Sequence, residues 1–260
     1  MKKLYFKYTT KLVFGGDITR HHFTLRCIPM NDSVQKICSY ELNLEPAEFY
    51  QVNRDCFGNI TCIGHCYAPH REFSFQVEGI AFVHTANQQP EPLQPVFRYA
   101  SEYTKPDPPL EAFYRSLCFR GRSPYDRACE LMEALYNSVS YVAGVTDVRT
   151  TAAQAFAMKQ GVCQDYAHML IALCRMDKIP ARYVAGMIYG EGATHGWVEI
   201  YDGSCWIGLD PTHNQMADDR FIKLCHGRDY GDCSVVRGIF YGNFRQEQTI
   251  RVTVRDYENF

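Results

Sequence analysis

Hydrophobic side chains fall on alternate positions where the chain begins: Leu4, Phe6, Tyr8, Leu12 and Phe14 share one register, and Lys7 and Lys11 occupy the other. A period of two marks a half-buried strand. The same period returns at Ile60, Cys62, Gly64 and Cys66. Turns are expected at Gly15-Gly16-Asp17, at Met30-Asn31-Asp32 and at Gly58-Asn59. Residues 1–85 thus read as a mainly-β N-terminal domain. Six of the twelve prolines then lie between Pro90 and Pro109, which makes residues 86–109 a proline-rich linker or an irregular wrap.

Beyond the prolines the period lengthens. Ser123-Pro124-Tyr125-Asp126 offers a serine cap, a first-turn proline and an acid three residues on, and Leu131, Leu135 and Val139 continue an apolar stripe. Thr151-Ala152-Ala153-Gln154 has the spacing of a capping box and opens a short helix ending near Lys159. Ala167, Leu170, Ile171 and Cys174 recur at helical spacing and predict a helix over 163–177, with Gly161 just ahead of it. Residues 181–188 read as a strand. Residues 195–201 and 204–210 read as two more, joined by Asp202-Gly203, a dipeptide suited to a two-residue hairpin. Helices followed by antiparallel strands predict an α+β core over residues 110–260, with helix 163–177 packed on an antiparallel sheet.

Three residues sit where this pattern gives them chemistry. Cys163 falls at a helix start, whose free N–H groups and positive dipole end stabilise a thiolate and supply donors to an oxyanion. If only Asp202 and Gly203 form the hairpin loop, His195 stands directly opposite Asp210. Opposed residues share a sheet face, with Cβ atoms roughly 4.5–5.5 Å apart. Taken singly, a cysteine or a histidine is more often an ordinary core residue. A thiol at a helix start, together with an opposed histidine and carboxylate, favours a nucleophilic triad. Gln164, Asp165, Trp197 and His213 are candidates to bind substrate or support the triad. Asp165 is placed to complement the helix dipole, Trp197 to shield the His–Asp pair or simply to pack, and His213 to line a cleft or a turn. His168 reads as structural. Gln154 and Gln160 are candidates for a second oxyanion donor beside the Cys163 N–H.

The words GVCQDYAHMLIALCR, IPARYVAGMI, HGWVEIY and WIGLDPTHNQ resemble the transglutaminase-like superfamily. GRDYGDCSVVRGIFYG (227–242) is similar to the tail of its bacterial members, and LRCIP (25–29) and DCFGN (55–59) to the β domain that precedes their core. The resemblance implies a papain/transglutaminase-like core in a bacterial cysteine peptidase. Cys163 would be the nucleophile, His195 the general base and acid, and Asp210 the orienting carboxylate. It also implies a peptide or protein substrate whose amide bond is cleaved through a Cys163 thioester. Transfer of the acyl group to an amine, and a binding module with an idle triad, are the alternatives. Two positions depart from the pattern: Gly196, where many relatives have alanine, and Gln164, where many have arginine.

Composition narrows the picture further. A formal net charge of −2 without a basic run argues against nucleic acid as partner. No apolar stretch approaches the roughly 20 residues that span a bilayer. Met1-Lys2-Lys3-Leu4 imitates a secretion signal, but Lys7 and Lys11 break any apolar run, so a cytoplasmic location is expected. Twelve cysteines in a chain this long read as reduced core thiols rather than a disulfide framework. Cys56, Cys62, His65, Cys66 and His70 are the one group that hints at zinc. Residues four apart on a strand lie roughly 13 Å from each other, too far to chelate one ion. No metal and no cofactor are expected.

Overall fold

The structure, a computed structural model, describes residues 1–258. Strands β1 (Lys2–Leu25), β2 (Gln35–Glu45), β3 (Phe49–Arg54), β4 (Ile60–Cys66) and β5 (His70–Val83) come first. An irregular stretch leads to helices α1 (Pro108–Ser116) and α2 (Pro124–Tyr136) and a short strand β6 (Ser140–Tyr141). Helix α3 (Ala152–Met158), strand β7 (Gln160–Gly161) and helix α4 (Cys163–Met176) follow. Then come β8 (Ala181–Ile188), β9 (Gly190–Gly192), β10 (His195–Tyr201), β11 (Trp206–Asp210), β12 (Gln215–Met216) and β13 (Phe221–Gly227). The short helix α5 (Tyr230–Cys233) and strands β14 (Val236–Tyr241) and β15 (Gln246–Asp256) close the series.

Two sheets carry the architecture. The larger runs β2-β5-β1-β15-β9, with β14 and the β3-β4 pair attached to the second half of β1. The smaller runs β12-β11-β10-β8-β13, with antiparallel neighbours throughout. This is the α+β arrangement that the sequence pattern predicts. Strand β1 is longer than expected, because no turn forms at Gly15-Gly16-Asp17. The strand runs through, and its register with β5 breaks between Val13 and Ile18. The glycine there serves packing, since a Cβ on Gly16 would meet the Phe244 ring at 2.5 Å. Residues 236–256, which the sequence pattern groups with the core, instead hydrogen-bond to β1 as β14 and β15.

Local signals explain the helices. Ser123 Oγ accepts from Asp126 N at 3.0 Å to cap α2, and Thr151 and Gln154 form a reciprocal capping box on α3. Helix α4 is buried from Gln164 to Arg175 and lies against β8 and β10, with α1, α2 and α3 around it. Each aliphatic side chain so buried contributes about 1.5–3 kcal/mol relative to exposure. One hydrophobic cluster reaches from Leu4 and Phe6 of β1 through Leu170 and Ile171 of α4 to Val254 of β15. The two sheets therefore share a core.

Buried charges tie the irregular stretch to this frame. Arg175, near the C-terminal end of α4, donates to Thr104 Oγ1 (2.6 Å) and to the carbonyls of Ala181 (2.9 Å) and Arg228 (2.8 Å). On the far face of the smaller sheet, Glu199 accepts from Arg182 Nε at 2.6 Å and pairs with Lys223 Nζ at 2.5 Å. Lys223 also reaches Asp32, from the segment between β1 and β2, at 2.8 Å. All twelve cysteines are free. No helix among the described residues is long and apolar enough to cross a membrane.

Candidate active site

The start of α4 is fixed by its own sequence. Val162 is extended, and its N–H donates to Asp165 Oδ2 at 2.8 Å, so the first helical turn closes on Cys163. Asp165 also accepts from Thr146 Oγ1 at 2.7 Å. Gly161 is required beneath it, since a Cβ there would lie 2.6 Å from that of Asp165. Burial pushes the Asp165 carboxyl up, although both hydrogen bonds oppose the rise. Asp165 is thus a capping residue turned back on its own helix. As the first residue of α4, Cys163 has an N–H with no partner inside the helix.

His195 opens β10 and Asp210 closes β11. The hairpin between them has a four-residue loop, not the two-residue turn the dipeptide predicts: Tyr201 pairs with Trp206, and Val198 with Leu209. Asp202 Oδ1 accepts from the N–H groups of Ser204 (2.8 Å) and Cys205 (2.9 Å), which stabilises the longer loop. His195 is therefore not directly opposite Asp210. The register moves by two positions, however, and an even shift keeps both side chains on one face. His195 Nε2 donates to Asp210 Oδ2 at 3.0 Å.

Asp210 is fully buried and serves more than one donor. Its Oδ2 also accepts from His213 Nδ1 at 2.7 Å, and its Oδ1 from Thr212 N at 3.0 Å. Burial opposes its charge, but the two imidazoles outweigh burial and hold the carboxyl below its usual range. Burial likewise disfavours a charged His195. The hydrogen bond to Asp210 and the neighbouring Cys163 sulfur overcome that effect and raise the imidazole to about 10. With Nε2 committed to Asp210, Nδ1 is the nitrogen left for Cys163. Trp197 lies two residues on, stacked at 6.4 Å and 22° to His195, and packs with Val184 and Phe221.

Cys163 and His195 meet in a cleft of about 240 Å³. Gln164 lines it, its Nε2 reaching the Val148 carbonyl at 3.4 Å. Tyr183 of β8 forms part of the wall, and the opposite side comes from the larger sheet: Tyr8 of β1, Val236 of β14, and Gln248 and Ile250 of β15. Larger hollows beside Tyr189 and beside Thr146 hold no cysteine. Gln154 is spent on its capping box and Gln160 does not line the cleft, so neither stands where an oxyanion donor is needed. Tyr183 and the wall from β1 and β15 are invisible to local sequence patterns. The nearest signal was Gly196 in place of alanine, because a Cβ there would collide with the Tyr183 hydroxyl.

The atoms that could hold a metal converge elsewhere than the cysteine-rich strand. Among the described residues, His195, Asp210 and His213 offer donors within 4.8 Å of one another. A cation there would have to displace the protons of two short hydrogen bonds to Asp210. His168 is buried in the core; its Nε2 accepts from Tyr230 N at 3.0 Å, which is a structural role.

Residues 112–211 match the model of the transglutaminase-like superfamily, and residues 4–81 that of the bacterial transglutaminase-like N-terminal region. An uncharacterized protein of Mycobacterium tuberculosis is 28% identical over 251 residues, covering 83% of this chain and 80% of its own length. One from Mycobacterium leprae is 24% identical over 265 residues, covering 90% and 92%. The crystal structure of a protein from Cytophaga hutchinsonii, described as a putative cysteine protease, superposes with a TM-score of 0.81 at 22% identity. That superposition takes in 100% of this chain and 93% of the other, a likeness of fold.

Proposed function

The chain belongs to the transglutaminase-like superfamily, and from that premise we propose that it is a cysteine-dependent acyl enzyme that hydrolyses amide bonds of peptides or proteins. The observation that carries this reading is the His195 imidazole held between the Asp210 carboxylate and the sulfur of Cys163, which opens a helix, with His195 and Cys163 both lining one cleft.

In this mechanism Cys163 attacks as a thiolate paired with the His195 imidazolium. Asp210 holds the Nε2–H tautomer, so that Nδ1 exchanges the proton with sulfur and substrate. The thiolate adds to the acyl carbon, and the oxyanion forms beside the Cys163 N–H. Collapse expels the amine, which takes its proton from His195. Water, deprotonated by the now neutral imidazole, then cleaves the thioester. The description of the Cytophaga hutchinsonii protein as a putative cysteine protease favours water as the acceptor.

The test is the rate of Cys163 alkylation by iodoacetamide as a function of pH, followed on the Cys163 peptide by mass spectrometry. We expect fast alkylation that persists well below the free-thiol pKa of about 8.5 and is lost in His195→Ala. A slow reaction titrating like an ordinary thiol in both proteins would mean an idle site and a binding module. With an active thiol, ammonia or amine release without amine incorporation identifies the hydrolase. Incorporation of an added amine would reassign the chain to acyl transfer.

A further inference from the structure

We propose that the Tyr183 hydroxyl is the side-chain donor that, with the Cys163 N–H, receives the oxyanion formed when Cys163 attacks an acyl carbon. The inference rests on the acyl-enzyme reading above and names a residue that touches the reacting oxygen.

Three observations carry it. Tyr183 is only 3% exposed as a residue and lines the Cys163 cleft, and among the described residues its hydroxyl has no side-chain or backbone partner and is not sealed in the core. A hydroxyl on the cleft wall with no protein partner is free to donate to something that enters the cleft. The ring, moreover, cannot swing away. It is clamped between His168, at 5.3 Å, and Tyr230, at 6.3 Å and nearly perpendicular.

Gly196 supplies the third observation. It stands immediately after His195 and opposite Ala185. A Cβ there would overlap the Tyr183 hydroxyl and approach Cζ to 3.1 Å. The departure from alanine at this position is therefore the space in which the hydroxyl sits. Tyr8 also lines the cleft, but its hydroxyl is sealed from it and its titratable neighbours are Cys27, Tyr230 and Cys225. Tyr183, by contrast, feels Cys163 more strongly than any other charge. Burial and that sulfur together push the phenol well up, so it enters the reaction as O–H.

The step balances without a further reagent. The thiolate pair forms the S–C bond, and the carbonyl π pair moves onto oxygen, where Tyr183 donates a hydrogen bond and keeps its proton. The pair returns as the leaving group departs with its bonding electrons and takes a proton from His195. A thioester remains, and nothing is oxidised or reduced.

Two reagents separate this role from that of the Cys–His pair. Iodoacetamide alkylates sulfur by displacement at a saturated carbon and makes no oxyanion at the reacting centre. p-Nitrophenyl acetate acylates sulfur through one. In Tyr183→Phe we expect alkylation of Cys163 within about twofold of wild type. Acylation should fall at least tenfold, toward the roughly 10²–10³-fold typical of a lost oxyanion donor. Gly196→Ala should show the same selective loss, and the double variant should be no slower than the worse single one. Acylation of Tyr183→Phe within about threefold of wild type overturns the proposal. So does a parallel loss of both reactions, which would place Tyr183 in thiolate formation or in folding. Slow alkylation of the wild type would instead overturn the acyl-enzyme reading itself.

Discussion

Asp210 shows how much one carboxylate decides. It accepts from His195 and His213 on the same oxygen, yet the two imidazoles differ in exposure, 9% against 52%. Exposed pairs are worth about 0–1 kcal/mol, so His213→Asn should slow Cys163 alkylation less than about fivefold. Asp210→Asn removes the charge that balances a buried imidazolium. At pH 6 we expect alkylation to fall at least about tenfold, equivalent to about 1.4 kcal/mol of lost ion-pair stabilisation. Equal rates for Asp210→Asn and wild type would remove Asp210 from the machinery. Cys163, His195 and Asp210 were legible in the sequence because each lies at the end of an element whose pattern is local. Tyr183 was not, because in β8 it reads as one more alternating core residue. Its meaning arises only across the ladder, against Gly196 and the start of α4.

The elements that carry the triad were legible although they are buried nearly all round. Helix α4 and strands β8 and β10 fall where the sequence pattern places them, as short apolar segments bounded by turn residues. The β10–β11 loop was misread because Asp202-Gly203 also occurs within longer turns, and Asp202's own hydrogen bonds to Ser204 and Cys205 select one. The His–Asp contact survived that error because face is conserved under an even shift of register. Farther along the same face of that sheet, Glu199 sits between Arg182 and Lys223. Both cations are nearly buried, at 3% and 6% exposure. Glu199→Gln strands charge in the interior and should destabilise the protein by about 3–5 kcal/mol, read from urea unfolding. A loss below about 1 kcal/mol would mean that Asp32 on Lys223 and Glu91, 3.1 Å from Arg182 Nη1, suffice to balance the cations.

Across the whole molecule, titration pulls stability in two directions. Burial, with nearby positive or histidine neighbours, lowers His21 to about 4 and His168 to about 3, and also lowers His226. Below about 6.5 the unfolded chain takes up these protons and the folded one does not. Stability must then fall with pH, by up to about 1.4 kcal/mol per pH unit for each group. His195 acts the other way. Raised to about 10, it contributes stability in full below 6.5 and loses it as pH climbs through 10. Urea midpoints should therefore peak near neutrality, and His195→Gln should flatten only the alkaline side. A monotonic profile would contradict this balance. The return of β14 and β15 to β1 was the least legible feature, since pairing between distant segments leaves no periodicity in either. It has a consequence in time. Tyr8 of the cleft leaves the ribosome some 240 residues before Gln248. At roughly 5–20 residues per second that is about 12–48 s of translation. Cys163 and its helix are made well within this interval, but the wall that encloses them arrives last. A half-made chain carries the thiol without its pocket, so the order of synthesis itself delays the moment at which the site can act.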